Sequence, residues 1–257
     1  MAKNKAKEPQ WARFGSGNDY FHRSHWPLQC LIFITPLLLI YQIGSAMHPW
    51  TPAPDSPARL VAFALILRFF AFFGVVGNYL PMAVVVAVLL AWHLSRKDPW
   101  QFDPVLYLGM AAESFVWAMP ILVFAIVVAN GSAMAANNGA PAMAWQEKCV
   151  IAVGAGVYEE LLFRLVLITL LNMLLVDLLG LSLGKAIPII IVTSAVLFSL
   201  YHYLGPEHFT LQTFFFRTAA GVYLAAIFIF RGFGIDVATH AAYDLMAIGL
   251  PMLVRHG

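Results

Sequence analysis

The stretch Gly154-Ala-Gly-Val-Tyr-Glu-Glu-Leu-Leu-Phe-Arg164 decides how this chain is read. It sets two adjacent carboxylates and an arginine inside an apolar run from Val150 to Leu175. Each such charge costs roughly 2.5–3.5 kcal/mol at a helix centre in a bilayer. Three together persist only if they pair or serve a function. On a helix Glu160 and Arg164 are four apart and share a face, with the acid N-terminal, the favourable order. Glu159 points about 100° away from Glu160. The pair neutralises itself and leaves Glu159 as the free carboxylate. The plainer alternative is a structural salt bridge with one further acid beside it.

Composition fixes the setting of that stretch. Hydrophobic residues make up 61% of the 257 and charged residues 11%, far from the balance of a soluble domain. Several runs reach the ~18–20 residues that cross ~30 Å of hydrocarbon. The expected fold is all-α, a polytopic transmembrane helical bundle, with the bilayer as its first partner. Nothing in the sequence points to nucleic acid. The net charge of +2 says little, but Lys3, Lys5, Lys7, Arg13 and Arg23 all precede the first apolar run. That placement favours a cytoplasmic N-terminus, and the expected location is integral and multi-pass in a bacterial inner membrane. The run Pro27 to Met47 is too long for a signal-peptide core and no small-x-small site follows it, so it reads as an uncleaved span. Cys30 and Cys149 give neither a disulfide framework nor metal-ligand spacing.

Four regions follow from the pattern along the chain. Residues 1–26 read as a polar tail, disordered or interfacial, with Trp11, Phe14, Tyr20, Phe21 and Trp26 suited to the headgroups. Residues 27–129 hold N-terminal transmembrane helices, 130–145 a flexible loop rich in Ala, Gly and Asn, and 146–254 the core with the polar motifs. Candidate spans are Pro27–Met47, 60–77, 79–94, 105–129, 150–175, 186–203, 211–230 and 235–254. Counting 60–77 gives about eight spans. Treating it as an interfacial helix, with Arg68 in its middle, gives seven and moves Arg96, Lys97, Lys185 and Arg231 inside, as the positive-inside rule prefers. No internal repeat is evident, which counts against a carrier built from inverted halves.

Single charges stand in three apolar segments, Arg68 in 60–77, Glu113 in 105–129 and Arg217 near the start of 211–230, and the set that matters is Glu159, Glu160, Arg164, His202, His240 and Asp244, on three helices of the second half. Such residues normally face a bundle interior or a wet cavity. His240 and Asp244 are four apart, so the carboxylate can fix the imidazole's tautomer. A single histidine in a span is more often a packed residue than a catalyst, and Asp244 reads equally well as a satisfied polar group. Phe198, four before His202, reads as packing. Counted at about 1.5 Å per residue from the loops, Glu159 and His240 fall nearer one face than His202. A tilted or shortened sixth span would bring the three to one level.

Other hydrolase signatures are missing: there is no His-Glu-x-x-His and no Gly-x-Ser-x-Gly. Gly232-Phe-Gly-Ile-Asp236 misses the Gly-x-Gly-Asp of intramembrane aspartyl proteases by one residue, and Tyr243-Asp244 follows it instead of preceding it. What is left is a carboxylate base, two histidines and water, a set suited to attack of activated water on an amide. For a metal, Glu160 is already engaged by Arg164, and only His240 has an obvious outer-shell acceptor. The expectation is a site with no metal and no cofactor.

Glu159-Glu160-x-x-x-Arg164, Phe198-x-x-x-His202 and His240-x-x-x-Asp244, in that order on successive apolar segments, resemble the CAAX protease and bacteriocin-processing family. These are glutamic intramembrane endopeptidases that include the type II CAAX prenyl proteases. The resemblance covers roughly residues 146–250, and Phe216, Gly221 and Gly232-Phe-Gly234 also fit it. It implies that Glu159 is the general base, that His202 positions the attacking water and that His240 stabilises the oxyanion. Glu160 and Arg164 would be the structural pair. Many members carry Asn at the position of Asp244. An ionised Asp only accepts hydrogen bonds, so Asp244 is either protonated or serves by orienting His240. The implied substrate is a peptide or protein at the membrane, a lipidated tail being one option. Two other readings use the same residues: a non-enzymatic member that binds a partner or confers immunity, and a proton-coupled carrier.

Overall fold

The computed structural model describes residues 20–47, 60–129, 144–205 and 207–256. The expected loop 130–145 lies almost wholly outside them, as does the tail up to residue 19. The described residues form helices and turns with no strand. In chain order the helices are α1 (Tyr20–Arg23), α2 (Pro27–Met47), α3 (Val61–Phe72), α4 (Leu80–Arg96), α5 (Pro104–Ala129) and α6 (Trp145–Glu160). They continue with α7 (Leu167–Asn172), α8 (Leu183–Tyr201), α9 (Leu211–Arg231) and α10 (Phe233–His256). Two π-helical turns, Leu161–Val166 and Met173–Leu178, flank α7, so Trp145–Leu178 is one continuous apolar helix.

Helix starts follow the sequence closely. Asp103 Oδ1 accepts from the backbone N–H of Val105 (3.1 Å) and Leu106 (3.2 Å), with Pro104 opening α5. This is an N-cap followed by a proline whose missing N–H is not needed there. Thr210 Oγ1 caps α9 by accepting from Thr213 N–H at 3.1 Å.

Among the described residues, five helices are long and apolar enough to cross a membrane: Pro27–Met47, Pro104–Val128, Trp145–Leu178, Leu183–Leu204 and Leu211–Arg231. Their outward faces are lined by exposed Leu, Val and Phe, among them Val116, Val127, Leu170, Val192 and Phe230. The molecule is an integral, multi-pass membrane protein. Helix α3 has 12 residues, about 18 Å at 1.5 Å per residue. That is shorter than ~30 Å of hydrocarbon, and α3 is one of two shorter apolar helices among the described residues, Leu80–Arg96 being the other. Arg68 is exposed on α3.

Helix α6 is the centre of the bundle. Ten of its residues, Val150 and Ala152 through Glu160, are buried, and it packs on α2, α3 and α10. Helices α8 and α9 pair with each other, and α10 lies against α5.

The end of the expected tail is part of this core. Ser24 is buried beside an ion pair between Glu113 of α5 and Arg231 at the end of α9, its Oγ accepting from Arg231 Nη2 at 3.3 Å, and Trp26 is buried with its indole N–H donating to His22 Nδ1 at 3.2 Å. Tyr20 donates to Glu113 Oε2 at 2.5 Å, and Arg231 Nη2 donates to the same oxygen at 2.7 Å. The Arg231 guanidinium also sits 4.5 Å over the Phe21 ring. Residues 20–26 are therefore folded protein and not tail, and Trp26 is not a headgroup anchor. Arg231 is likewise no loop charge and drops out of the positive-inside count.

Candidate active site

The site is built where α6 meets α10 and the end of α8. Gly156 makes the first contact possible. A Cβ there would lie 2.8 Å from Ala241 N and 2.9 Å from Val237 O, both on α10. With only hydrogen at this position, the two backbones approach closely and Glu159 and Glu160 come level with His240. Directly after Glu160 the helix widens into the π-turn 161–166, a distortion frequent at functional sites. Its irregular carbonyls find other donors, Ser194 Oγ giving a hydrogen bond to Phe163 O at 2.8 Å.

All six expected site residues converge on one cluster. Glu160 Oε2 lies 3.0 Å from Arg164 Nε, and both side chains are fully buried. The other oxygen, Oε1, is 2.6 Å from His240 Nδ1. Glu160 thus has two partners, and the orienting contact expected of Asp244 is made by Glu160. Asp244 Oδ2 faces the other ring nitrogen, Nε2, at 3.6 Å, beyond hydrogen-bond length. Glu159 Oε2 is 3.8 Å from His202 Nε2 and 3.9 Å from His240 Nε2. His202 Nδ1 lies 2.8 Å from the Phe198 carbonyl. A carbonyl only accepts, so Nδ1 carries the hydrogen and Nε2 of the neutral ring presents its lone pair.

The expected mismatch in depth does not arise. Glu159 lies 19 residues before Leu178, and His202 lies 19 residues after Leu183. Both are about 28 Å from the same short connection. Phe198 fills the space between the motifs. Its ring lies under the Arg164 guanidinium at 4.5 Å and packs edge-on against Phe163, His202 and His240.

One further residue of the cluster has no signal in the sequence, and another stood out there only as part of an aspartyl-protease near miss. Tyr201 donates to Glu159 Oε1 at 2.6 Å and is itself buried. It stands next to His202, but nothing in the local pattern says that its face of α8 meets α6. Asp236 is fully buried within electrostatic reach of Glu160 and Arg164. An aspartyl pair with Asp244 is ruled out by geometry, because the two stand eight apart on one helix, about 12 Å along its axis. Among the described residues, no group of three or more His, Cys, Asp or Glu converges as metal ligands do.

These features define a class: a helical membrane protein with a buried Glu, two His and a neutralised Glu–Arg pair at the meeting of three helices. Residues 141–246 match the family model described as type II CAAX prenyl endopeptidase, Rce1-like. The matched residues are the ones that carry all three motifs, so the family model and the motif resemblance point to the same part of the chain. No curated protein and no solved structure gives a match.

Proposed function

We propose that the protein is a glutamic intramembrane endopeptidase that cleaves a peptide bond of a membrane-associated substrate with water activated by Glu159. The observation that carries this reading is the pair of distances from Glu159 Oε2, 3.8 Å to His202 Nε2 and 3.9 Å to His240 Nε2. They are too long for direct hydrogen bonds and the right length for one bridging water. Tyr201 holds Oε1 and leaves Oε2 as the reacting oxygen.

In this mechanism the water gives one proton to Glu159 and directs the other at the lone pair of His202 Nε2. Its oxygen adds to the scissile carbonyl carbon, and the carbonyl oxygen becomes an oxyanion. His240 acts as an imidazolium, donating from Nδ1 to Glu160 and from Nε2 to the oxyanion. Preorganised donors of this kind contribute most where water is excluded. Collapse of the intermediate breaks the C–N bond, and the proton on Glu159 passes to the leaving amine. Asp244 steadies the charge on His240 from the open side. No step requires a metal, a cofactor or the Glu160–Arg164 pair beyond its hold on His240. The substrate is a peptide or protein at the bilayer, and the N-terminus lies in the cytoplasm of a bacterial cell.

The test is cleavage of candidate membrane substrates in detergent and in vesicles by wild type and Glu159→Gln, with elemental analysis of the active protein. Glu159→Gln keeps an acceptor for Tyr201, so it folds, and turnover is abolished. Wild-type turnover by that variant ends the glutamic mechanism. Stoichiometric metal, with activity lost to a chelator and restored by that metal, moves His202 and His240 to ligand duties.

A further inference from the structure

A second charged pair stands at the entrance to the site. Arg217 of α9 donates through Nη1 and Nη2 to the two oxygens of Glu207, at 2.8 and 2.6 Å. Helix packing fixes its level. Gly221 lies against α8, where a Cβ would sit 3.1 Å from Ala195 and 3.2 Å from Phe198. One turn back along α9 is Arg217, and one turn on along the antiparallel α8 is His202. Ser199 Oγ, donating to Phe214 O at 2.9 Å, holds the two helices at that register. Arg217 is within electrostatic reach of Glu159, His202 and Asp244.

Side-chain exposure shows the way in. It is 6% at Glu159 and 7% at His240, and rises to 20% at His202 and 27% at Asp244. Arg217 is 21% exposed and Glu207 37%. The site is closed at its base and opens past His202 and Asp244 to the Arg217–Glu207 pair. A substrate entering here meets Asp244 and Glu159 ahead of it, so a carboxylate on the substrate is repelled unless a cation receives it. The His240 imidazolium is engaged with Glu160 and the oxyanion, so the cation at this mouth is Arg217, whose planar fork already holds a carboxylate in the bidentate geometry that suits it best. Its guanidinium lies over the Tyr203 ring, 5.9 Å from the centroid, and the Tyr203 hydroxyl is in turn hydrogen-bonded to that of Thr213 at 2.8 Å.

We propose that Arg217 binds a carboxylate carried by the substrate, and that Glu207 occupies this fork until the substrate displaces it. The proposal rests on the peptidase reading above. The carboxylate is either the substrate's free C-terminus or an acidic side chain beside the scissile bond.

The experiment uses the full-length protein and three pools of apolar hexapeptides. One pool ends in a free carboxylate, one in an amide, and one in an amide preceded by Glu. Binding is measured in the Glu159→Gln background, where turnover does not interfere, and cleavage is measured with wild type. Hydrogen bonds to charged groups support a preference of about ten- to a hundredfold for a carboxylate-bearing pool over the plain amide. The favoured pool identifies the source of the carboxylate.

Arg217→Gln removes the preference, whereas Glu207→Gln frees the fork and enlarges it. The opposite signs are diagnostic, because a merely structural ion pair loses the same contact from either side. If Arg217→Gln does not fold, Glu207→Gln alone decides the matter. Equal binding of all pools, binding of none, or weaker carboxylate binding in Glu207→Gln overturns the anchor. Equal cleavage of acid and amide pools by wild type overturns it too and leaves the peptidase standing. A carboxylate preference in binding without cleavage by wild type overturns the peptidase and leaves the anchor.

Discussion

Replacing Arg164 by Met tests whether the Glu160–Arg164 pair belongs to the fold or to the chemistry. Both side chains are fully buried and meet at 3.0 Å, and the guanidinium also covers the Phe198 ring at 4.5 Å. The substitution strands Glu160 as a charge without its cation, which typically costs ~3–5 kcal/mol. For a chain of this size each kcal/mol moves the unfolding temperature by about 2–4 °C. The expected drop is thus about 6–20 °C, measured by circular dichroism in detergent. A double variant, Glu160→Leu with Arg164→Met, removes both charges and recovers most of that loss, since an apolar pair of similar volume is tolerated where half an ion pair is not. It does not recover turnover, because His240 Nδ1 has lost the acceptor at 2.6 Å. Wild-type stability in the single variant refutes the pairing. Turnover regained by the double variant along with stability refutes the hold of Glu160 on His240.

Tyr201→Phe deletes the hydrogen bond to Glu159 Oε1; the loss of ~1.5–3 kcal/mol lowers kcat by about ten- to a hundredfold with KM little changed. An unchanged kcat shows that the hydroxyl does not position the base. Gly156→Ala forces a Cβ to within 2.8 Å of the α10 backbone, where nothing flexible can yield. The helices separate at a cost of about 1–3 kcal/mol, and turnover falls further than thermal stability. Normal turnover in that variant means that the close approach is not needed for the site.

The sequence carried the local geometry and missed the long-range meetings. Glu160 and Arg164 were readable because i,i+4 spacing on a helix needs no tertiary knowledge. The order of three motifs on apolar segments carried the resemblance that the family model matches over residues 141–246. The contact of Glu160 with His240 spans 80 residues, and it displaced the shorter-range reading in which Asp244, four residues away, orients the ring. Tyr201 was passed over because it stands beside a histidine that drew attention, and only the rotation of α8 against α6 shows which way it faces. Two small residues of α6 carry no local signal of what they meet: Gly156 makes room for the backbone of α10, and Gly154 for the Tyr41 ring of α2. Residues 20–26 read as tail because their polar and aromatic character gives no hint of the buried ion pair they cover.

That buried pair has a consequence for how the protein is made. Glu113 and Arg231 are 118 residues apart, and at about 5–20 residues per second the ribosome makes Glu113 roughly 6–24 s before Arg231 exists. During that interval Glu113 sits in an apolar helix without its cation. Trp117, one turn further along the same helix, donates to Glu113 Oε1 at 2.9 Å, and Tyr20, synthesised earlier still, donates to Oε2. Both donors lie in the first half of the chain, so the carboxylate's hydrogen-bond partners are made well before its cation. The arginine arrives last and fastens α9, and with it the start of α10, to a seat that the first half of the chain has already built.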